Sequence, residues 1–493
     1  MVTSRGVFWK QDVEPTASQN GSGSLLRRHL LLVVALWGLW PNVPALAGEP
    51  LRVGFATADI TPPVGYRKGG GYSEVISTGV ADPLQAKAMA LEQGGVGFAI
   101  VVCDLLSVPE PLSRPMREET AKRIGIPAAN IVIAATHNHG SPEYWGPLRD
   151  IFHERDVRER GGDARESMDY PKLLTRRCVE VLVAAWSNRA PATMELVTAQ
   201  QTGLAFNRRY HLRDGSVRFN PGKLNPDIVR PAGPVDTDLP WLLVRRAEDR
   251  QAIGSLAVFA MHVAVFGGTQ FGADFPGYLQ RELRRDFGGK FVSIFGEGTA
   301  GDVNHVNTAT RDPDPSPEQI GARLAATLRA STPLLRPVQD PSLAVRSQVA
   351  RASFQKVNHA TVERGRKLIE EQKTNRAEFL QLVAAWRDWH RWDIEKRHGD
   401  TKPLEVQAVR LNRDTALVLL PHEVFVEIGM TIKSASPFRH TLVLSLANDV
   451  DYYVPTRRAF EEGSYEVTTC PLNPGCGELL AQTAVRLLKE LKP

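Results

Sequence analysis

A chain of 493 residues, with 42% hydrophobic and 23% charged side chains, has the material for a large buried core and the balance of a globular enzyme. Its formal charge of +5 falls to +3 once the four basic and two acidic side chains of residues 1–47 are set aside, and no basic stripe is present. That excludes a nucleic-acid partner recruited by charge.

The elements are taken in chain order. Arg27 and Arg28 precede an apolar run over 30–40, and Ala45-Leu46-Ala47 then offers a small-x-small cleavage site. This three-part layout predicts an export signal over residues 1–47, ahead of a single catalytic domain over 48–493. The run falls short of the about 20 residues a membrane span needs, and a retained anchor is the rival reading. Beyond Leu51, short runs rich in Val, Ile and Phe predict strands over 98–103, 131–135, 255–261, 291–295, 417–420 and 442–446. Helical spacing predicts helices over 116–124, 171–186, 276–287 and 317–330, with Pro171, Pro276 and Pro317 placed where a first-turn proline is tolerated. Strands interleaved with helices predict an α/β fold with a mixed central sheet flanked by helices.

Two stretches read as insertions. The charged, glycine-containing stretch 149–167 is expected to be a surface loop. Residues 358–402 are polar and helical in composition, with Trp386, Trp389 and Trp392 three apart, expected as an apolar stripe packed on the main domain; a lid is the rival reading. Of the four cysteines, Cys470 and Cys476 flank a Pro/Gly loop, an arrangement that in an exported protein leaves a local disulfide open, the rival zinc pair having the wrong spacing. Cys103 and Cys178 lie in apolar contexts and read as buried thiols.

The polar residues worth notice mostly follow a strand. Asp104 follows 98–103, His137 and His139 follow 131–135, and His262 follows 255–261. Gly301 and Asp302 lie in a glycine-rich loop after 291–295, Glu423 follows 417–420, and Tyr453 comes after 442–446. Sites in open α/β sheets lie outside the carboxyl ends of strands, so these residues are expected to converge. A spacing of two puts the His137 and His139 rings on one side of the chain, and their surroundings are almost without apolar side chains. That suits a metal pair, with an exposed or hydrogen-bonded pair as the alternative. His262 on its own reads as a satisfied buried histidine, and Glu423 as a carboxylate near a helix N-terminus. Together they offer two or three nitrogens and a carboxylate, the donor set of hydrolytic zinc with a position left open for water.

The ordered pieces VGFATADITPP, ATHNHGSPE, FNRR, VFAMHVAVFGGTQFGADFPGY, TAGDVNHVN, the P-x-E of LPHEVFVEIG, and ANDVDYYVPTRRAFEEGSYEV resemble the neutral/alkaline, non-lysosomal ceramidases. The resemblance spans nearly all of residues 48–493 and does not include the C-terminal immunoglobulin-like domain of longer ceramidases. It implies Zn2+ held by His137, His262, Glu423 and Tyr453, and a reaction centre lined by His139, Arg208 and Tyr465. It further implies hydrolysis of an N-acyl (amide) bond by metal-activated water, on ceramide or a related N-acyl lipid met at a membrane surface. Arg208, Tyr465 or His139 would stabilise the oxyanion, and Asp302 or Asp104 would orient a ligand histidine. Two alternatives stay open: a metal-dependent esterase or amidase on a non-lipid substrate, and a non-catalytic relative that binds lipid or glycan. Two positions depart from the family. Asn304 stands where animal ceramidases carry a serine proposed as nucleophile, and His422 where the family usually has glycine.

Overall fold

In the computed structural model the described residues are 49–356, 359–370 and 379–493; the expected export signal over 1–47 lies outside them. The strands that frame the molecule are β1 (Arg52–Asp59), β2 (Gln85–Gln93), β3 (Val96–Cys103), β4 (Ile131–Ala135), β5 (Ala190–Gln200), β6 (Asp238–Arg246), β7 (Ala252–Phe259), β8 (Val292–Glu297) and β9 (Arg336–Pro337). They form one sheet in the order β8-β7-β6-β5-β1-β2-β3-β4, with β9 paired to β5. The centre is antiparallel, and each end carries a parallel pair, β3 with β4 and β7 with β8. Helices α1 (Glu110–Ile124) and α4 (Asp274–Phe287) make those two crossovers.

The expected mixed sheet is therefore present, and a second sheet packs on it. Strands β10 (Ala344–Ser353), β11 (Thr401–Arg410), β12 (Thr415–Leu419) and β14 (His440–Leu444) form it in that order. The short strand β13 (Glu423–Val424) and helix α8 (Val426–Ala435) lie between β12 and β14, which run parallel. Side-chain alternation explains the stacking. Phe98, Ile100 and Val102 of β3, Leu256 and Val258 of β7, and Leu417 and Leu419 of β12 share one core between the sheets. The alternate residues Ala99, Val101 and Cys103 face α1 and α3 (Tyr170–Ser187), while Ala257 and Phe259 face α4 and α5 (Pro317–Ser331). Ala416 and Val418 face α8 and α11 (Cys476–Leu491). The result is four layers, helix–sheet–sheet–helix, in one unit spanning residues 48–493.

Several expectations are corrected. The first helix begins at Glu110, upstream of the expected Met116, and carries Pro115 inside it. The stretch 149–167 is not a surface loop: most of it is α2 (Pro147–Arg160). Ile151, Phe152 and Asp156 on α2 are buried, and Asp156 pairs inward. Arg67, itself buried, reaches Asp156 at 3.1 Å and Asp163 at 2.6 Å. Polarity there reflects buried ion pairing on one side of the stretch and exposure on the other, where Glu154, Arg158, Glu159 and Arg160 face solvent. The insertion over 358–402 forms α6 (His359–Glu370) and α7 (Phe379–His398). Trp386 and Trp389 pack with Ile151 and Phe152, whereas Trp392 lies under Lys396, 3.1 Å from its ring centre. A step of three falls short of the 3.6-residue turn, so the third ring rotates off the shared face. Cys470 and Cys476 stay buried thiols without a bridge. Their loop is held instead by Gln355 N to Pro471 O at 2.8 Å and Asn473 N to Ser353 O at 2.9 Å.

Candidate metal centre

The carboxyl ends of the parallel pairs meet. His137 leaves β4, His262 leaves β7, Glu423 follows β12, and Tyr453 follows β14 in the short strand β15 (Tyr453–Val454). Three of these four side chains close on one point. His137 Nε2 lies 3.0 Å from His262 Nε2, and Glu423 Oε2 lies 3.1 Å from the first and 3.3 Å from the second. Ligands at about 2.0–2.1 Å from a tetrahedral ion are separated by about 3.3 Å, so this spacing is the one such an ion imposes. Tyr453 stands beside Glu423 because β13 and β15 pair in parallel with those two residues in register.

The backbone is bent to achieve this. His137 has φ 64° and His422, just before the ligand carboxylate, has φ 63°. Both sit in the left-handed region that side chains other than glycine occupy at a cost, a strain common at functional sites. His422 thus occupies a position that suits glycine. It is fixed there by stacking on Tyr452 at 4.1 Å and by accepting from Asp451 N at 3.2 Å.

Hydrogen bonding sets the tautomers. Nδ1 of His137, His139 and His262 donates to the carbonyls of Leu106, Gly70 and Ala300, at 3.0, 2.9 and 3.0 Å. Each ring then presents a bare Nε2 lone pair inward. The His139 Nε2 is buried beyond hydrogen-bonding reach of any partner among the described residues, and all three rings place a nitrogen within 4.8 Å of one another. Lone pairs converging on a buried carboxylate repel unless a cation lies among them. No lysine or arginine ion-pairs with Glu423 among the described residues, whereas the two other donor clusters are already neutralised. Arg67 pairs with Asp163 beside His153 and Glu166, and Lys402 reaches Asp449 at 2.7 Å and Asp451 at 3.0 Å beside His422. The donor set at His137, His262 and Glu423 therefore fits a divalent metal ion.

The electrostatics agree. Burial disfavours charge on His137, but the Glu423 and Glu297 carboxylates override it and push its pKa up to about 9. Burial, with Arg208 and His137 nearby, pushes His262 down to about 3, and burial beside His137 and His262 holds His139 well below its ordinary value. Without an ion the cluster takes one proton as its cation. Against the cost of burial, His137 holds Glu423 well below the usual carboxylate range.

Arg208 and Tyr465 join the same assembly. The Arg208 guanidinium is buried, donates from Nε to Glu466 Oε1 at 2.8 Å and from Nη2 to Gly301 O at 2.8 Å, and hydrogen-bonds Tyr453. It stands behind Tyr453, while Tyr465 lines the cavity and hydrogen-bonds both Tyr453 and Tyr72. That cavity, of about 170 Å³, is floored by His137, His139, Glu423 and Tyr453. Its walls come from Trp145, from Pro147 and Leu148 at the start of α2, and from Trp386 and His390 of α7, so the insertion both packs on α2 and lines the site.

Asp302 and Asp104 do not orient the ligand histidines; backbone carbonyls do. Asp302 accepts from Asn207 Nδ2 and from Val426 N, both at 2.8 Å, capping α8 just beyond Glu423. Asp104 is held by Lys87 Nζ at 3.1 Å. Asn304 is absent from the cavity wall and bonds to Asn220 at 3.2 Å. Four participants were not foreseen. Glu466, fully buried, ties Arg208 and Arg209 together. Asp274 accepts from Val265 N and Phe266 N at 2.8 Å and so fixes the loop after His262. Tyr72 completes the row of phenols. Glu297 ends β8, lies 3.9 Å from His262 Nδ1, and is pushed up to about 8 by burial. The strand-end rule that found His262 applies equally to Glu297; nothing local marks Glu466 or Tyr72.

No family model matches the sequence, and no curated protein matches it. Solved structures do. The crystal structure of neutral ceramidase from Pseudomonas aeruginosa aligns with a TM-score of 0.66 at 18% identity, covering 90% of this chain and 75% of that one. A ceramidase complexed with C2 aligns with a TM-score of 0.65, also at 18% identity and with the same coverage. Over nine-tenths of its length, this chain has the fold of the neutral ceramidases.

Proposed function

We propose that this chain is a zinc-dependent hydrolase of N-acyl (amide) bonds, with ceramide or a related N-acyl lipid as substrate. The observation that carries the reading is the convergence of His137 Nε2, His262 Nε2 and Glu423 Oε2 within 3.0–3.3 Å, with no lysine or arginine paired to the carboxylate among the described residues. Zinc held there, with Tyr453 alongside, supplies a water whose pKa is lowered toward about 7 and polarises a carbonyl.

The chain's own groups do the rest. His139 Nε2 is a buried, unprotonated acceptor facing the cavity, placed to take the proton of an attacking water and hand it to the leaving nitrogen. Tyr465 faces the cavity with its phenol kept protonated by burial, so it donates to the carbonyl oxygen as negative charge develops. Arg208 holds Tyr453 and, through Glu466, the helix α10 (Tyr465–Thr469) that begins with Tyr465. It acts as a positioning residue, adding positive potential from behind. Trp145, Leu148 and Trp386 give the entrance the apolar character an acyl chain requires.

No helix among the described residues is long and apolar enough to cross a membrane, which suits an enzyme that draws its lipid from a surface. We read residues 1–47 as the export signal, checked by sequencing the N-terminus of the mature protein. The test of function is to strip the full chain with a chelator and assay release of amine from an N-acyl sphingosine and from a matched ester. Activity on the amide, lost on chelation and restored by zinc, is expected. Full activity in metal-free protein, or cleavage of the ester alone, overturns the reading.

A further inference from the structure

We propose that His390 of α7, acting with Asp451, is a specificity-determining pair that binds a hydroxyl group of the substrate. The proposal rests on the N-acyl hydrolase reading for what occupies the cavity, but not for the subsite itself.

His390 is 5% exposed; its Nδ1 has no hydrogen-bond partner among the described residues, and its Nε2 meets the Asp451 carboxylate at 3.6 Å. A buried imidazole with one nitrogen unpaired and the other in a long contact costs free energy, and part of the cost is recovered when a ligand supplies a closer partner. The ring is held rather than loose: it stacks on Trp386 with centroids 4.8 Å apart and planes 9° from parallel, and Trp386 meets Tyr72 edge-on at 6.1 Å. Both His390 and Asp451 line the cavity that contains the metal centre.

Asp451 supplies the second half. Its Oδ2 accepts from Lys402 Nζ at 3.0 Å, and its backbone N–H donates to His422. Its Oδ1 faces His390 Nε2 at 3.6 Å, too far for a hydrogen bond and close enough for one small group to touch both. An imidazole N–H beside a carboxylate offers one donor and one acceptor. A hydroxyl, which donates and accepts at a single oxygen, is the smallest group that satisfies both. His390 and Asp451 line the same cavity as His137, Glu423 and Tyr453, so one molecule can reach both this pair and the metal centre. The subsite exists only because the insertion brings α7 over the cleft.

The test uses the full, zinc-loaded chain and two ureas that mimic the amide without being cleaved, N-undecyl-N′-hydroxyethylurea and its isostere N-undecyl-N′-propylurea, with Kd measured by calorimetry. Wild type is expected to prefer the hydroxyethyl urea by about tenfold, the worth of one well-formed hydrogen bond. His390→Ala is expected to cut that preference to about twofold or less by weakening the hydroxyethyl urea, and His390→Gln, which keeps an N–H donor, to retain most of it. A wild type with no preference, a wild type that binds neither urea, or a His390→Ala variant that weakens both ureas equally overturns the proposal. A chain that prefers the hydroxyethyl urea through His390 yet cleaves no amide keeps the subsite and loses the hydrolase reading. One that cleaves amides without the preference does the reverse.

Discussion

The Nε2 atoms of His137 and His262 face each other at 3.0 Å, although each ring already donates its Nδ1 proton to a backbone carbonyl. Two neutral imidazoles in that arrangement have no proton to share. The contact is therefore stable only with a positive charge between them, and Glu423 Oε2 at 3.1 and 3.3 Å marks where it lies.

Removing either kind of ligand should remove the metal. His262→Ala and Glu423→Ala are expected to weaken zinc binding by more than about a hundredfold, since even supporting residues around metal ligands are worth ten- to a hundredfold. Elemental analysis after gel filtration checks this: wild type retains about one zinc per chain and the variants retain almost none.

Zinc uptake should release a proton. His137 is pushed up to about 9 in the metal-free protein, so at neutral pH it carries a proton that the incoming ion must displace. The apparent affinity should rise about tenfold per pH unit below that value and level off above it. Calorimetry in buffers of differing ionisation enthalpy at neutral pH is expected to show about one proton released; no release would place the proton elsewhere.

Gly301 is packed against the backbone of the ligand strand. A Cβ there would lie 2.5 Å from the carbonyl oxygen of Glu423, so backbone and not a movable side chain must give way. Gly301→Ala is expected to destabilise the fold by about 1–3 kcal/mol and to loosen the metal, read from urea denaturation and zinc retention.

Glu466 neutralises two buried guanidiniums, Arg208 at 2.8 Å and Arg209 at 3.2 Å. Glu466→Ala leaves both without their shared partner and is expected to cost about 3–5 kcal/mol, measured by chemical denaturation. Because Arg208 also holds Tyr453, the same variant should lower kcat through displaced phenols more than Arg209→Lys does.

Gly70 shows how tightly the second histidine of the H-x-H is held. Its φ is 95°, its carbonyl accepts from His139 Nδ1, and a Cβ there would come within 2.8 Å of that ring. The glycines at 69–71 are conspicuous in the sequence, but their link to a histidine 69 residues away is not.

The sequence by itself determined β3, β4, β7, β8, β12 and β14 and the helices α1, α3, α4 and α5, and it placed His137, His262 and Glu423 just after strands and Tyr453 in the loop beyond another. It could do so because side-chain alternation and the position after an apolar run are local properties of the chain. Resemblance among ordered motifs added the expectation that those four residues share an ion. Tertiary structure alone decided that the four arrive from two stacked sheets, that backbone carbonyls and not Asp302 or Asp104 orient the rings, and that α7 lines the cleft with His390. It also decided that Asp156 and Asp163 of the charged stretch 149–167 turn inward onto Arg67 and that Cys470 and Cys476 remain thiols. Those outcomes depend on partners tens to hundreds of residues away, and a charge or a thiol in a sequence does not say whether its partner will be water, backbone or another side chain.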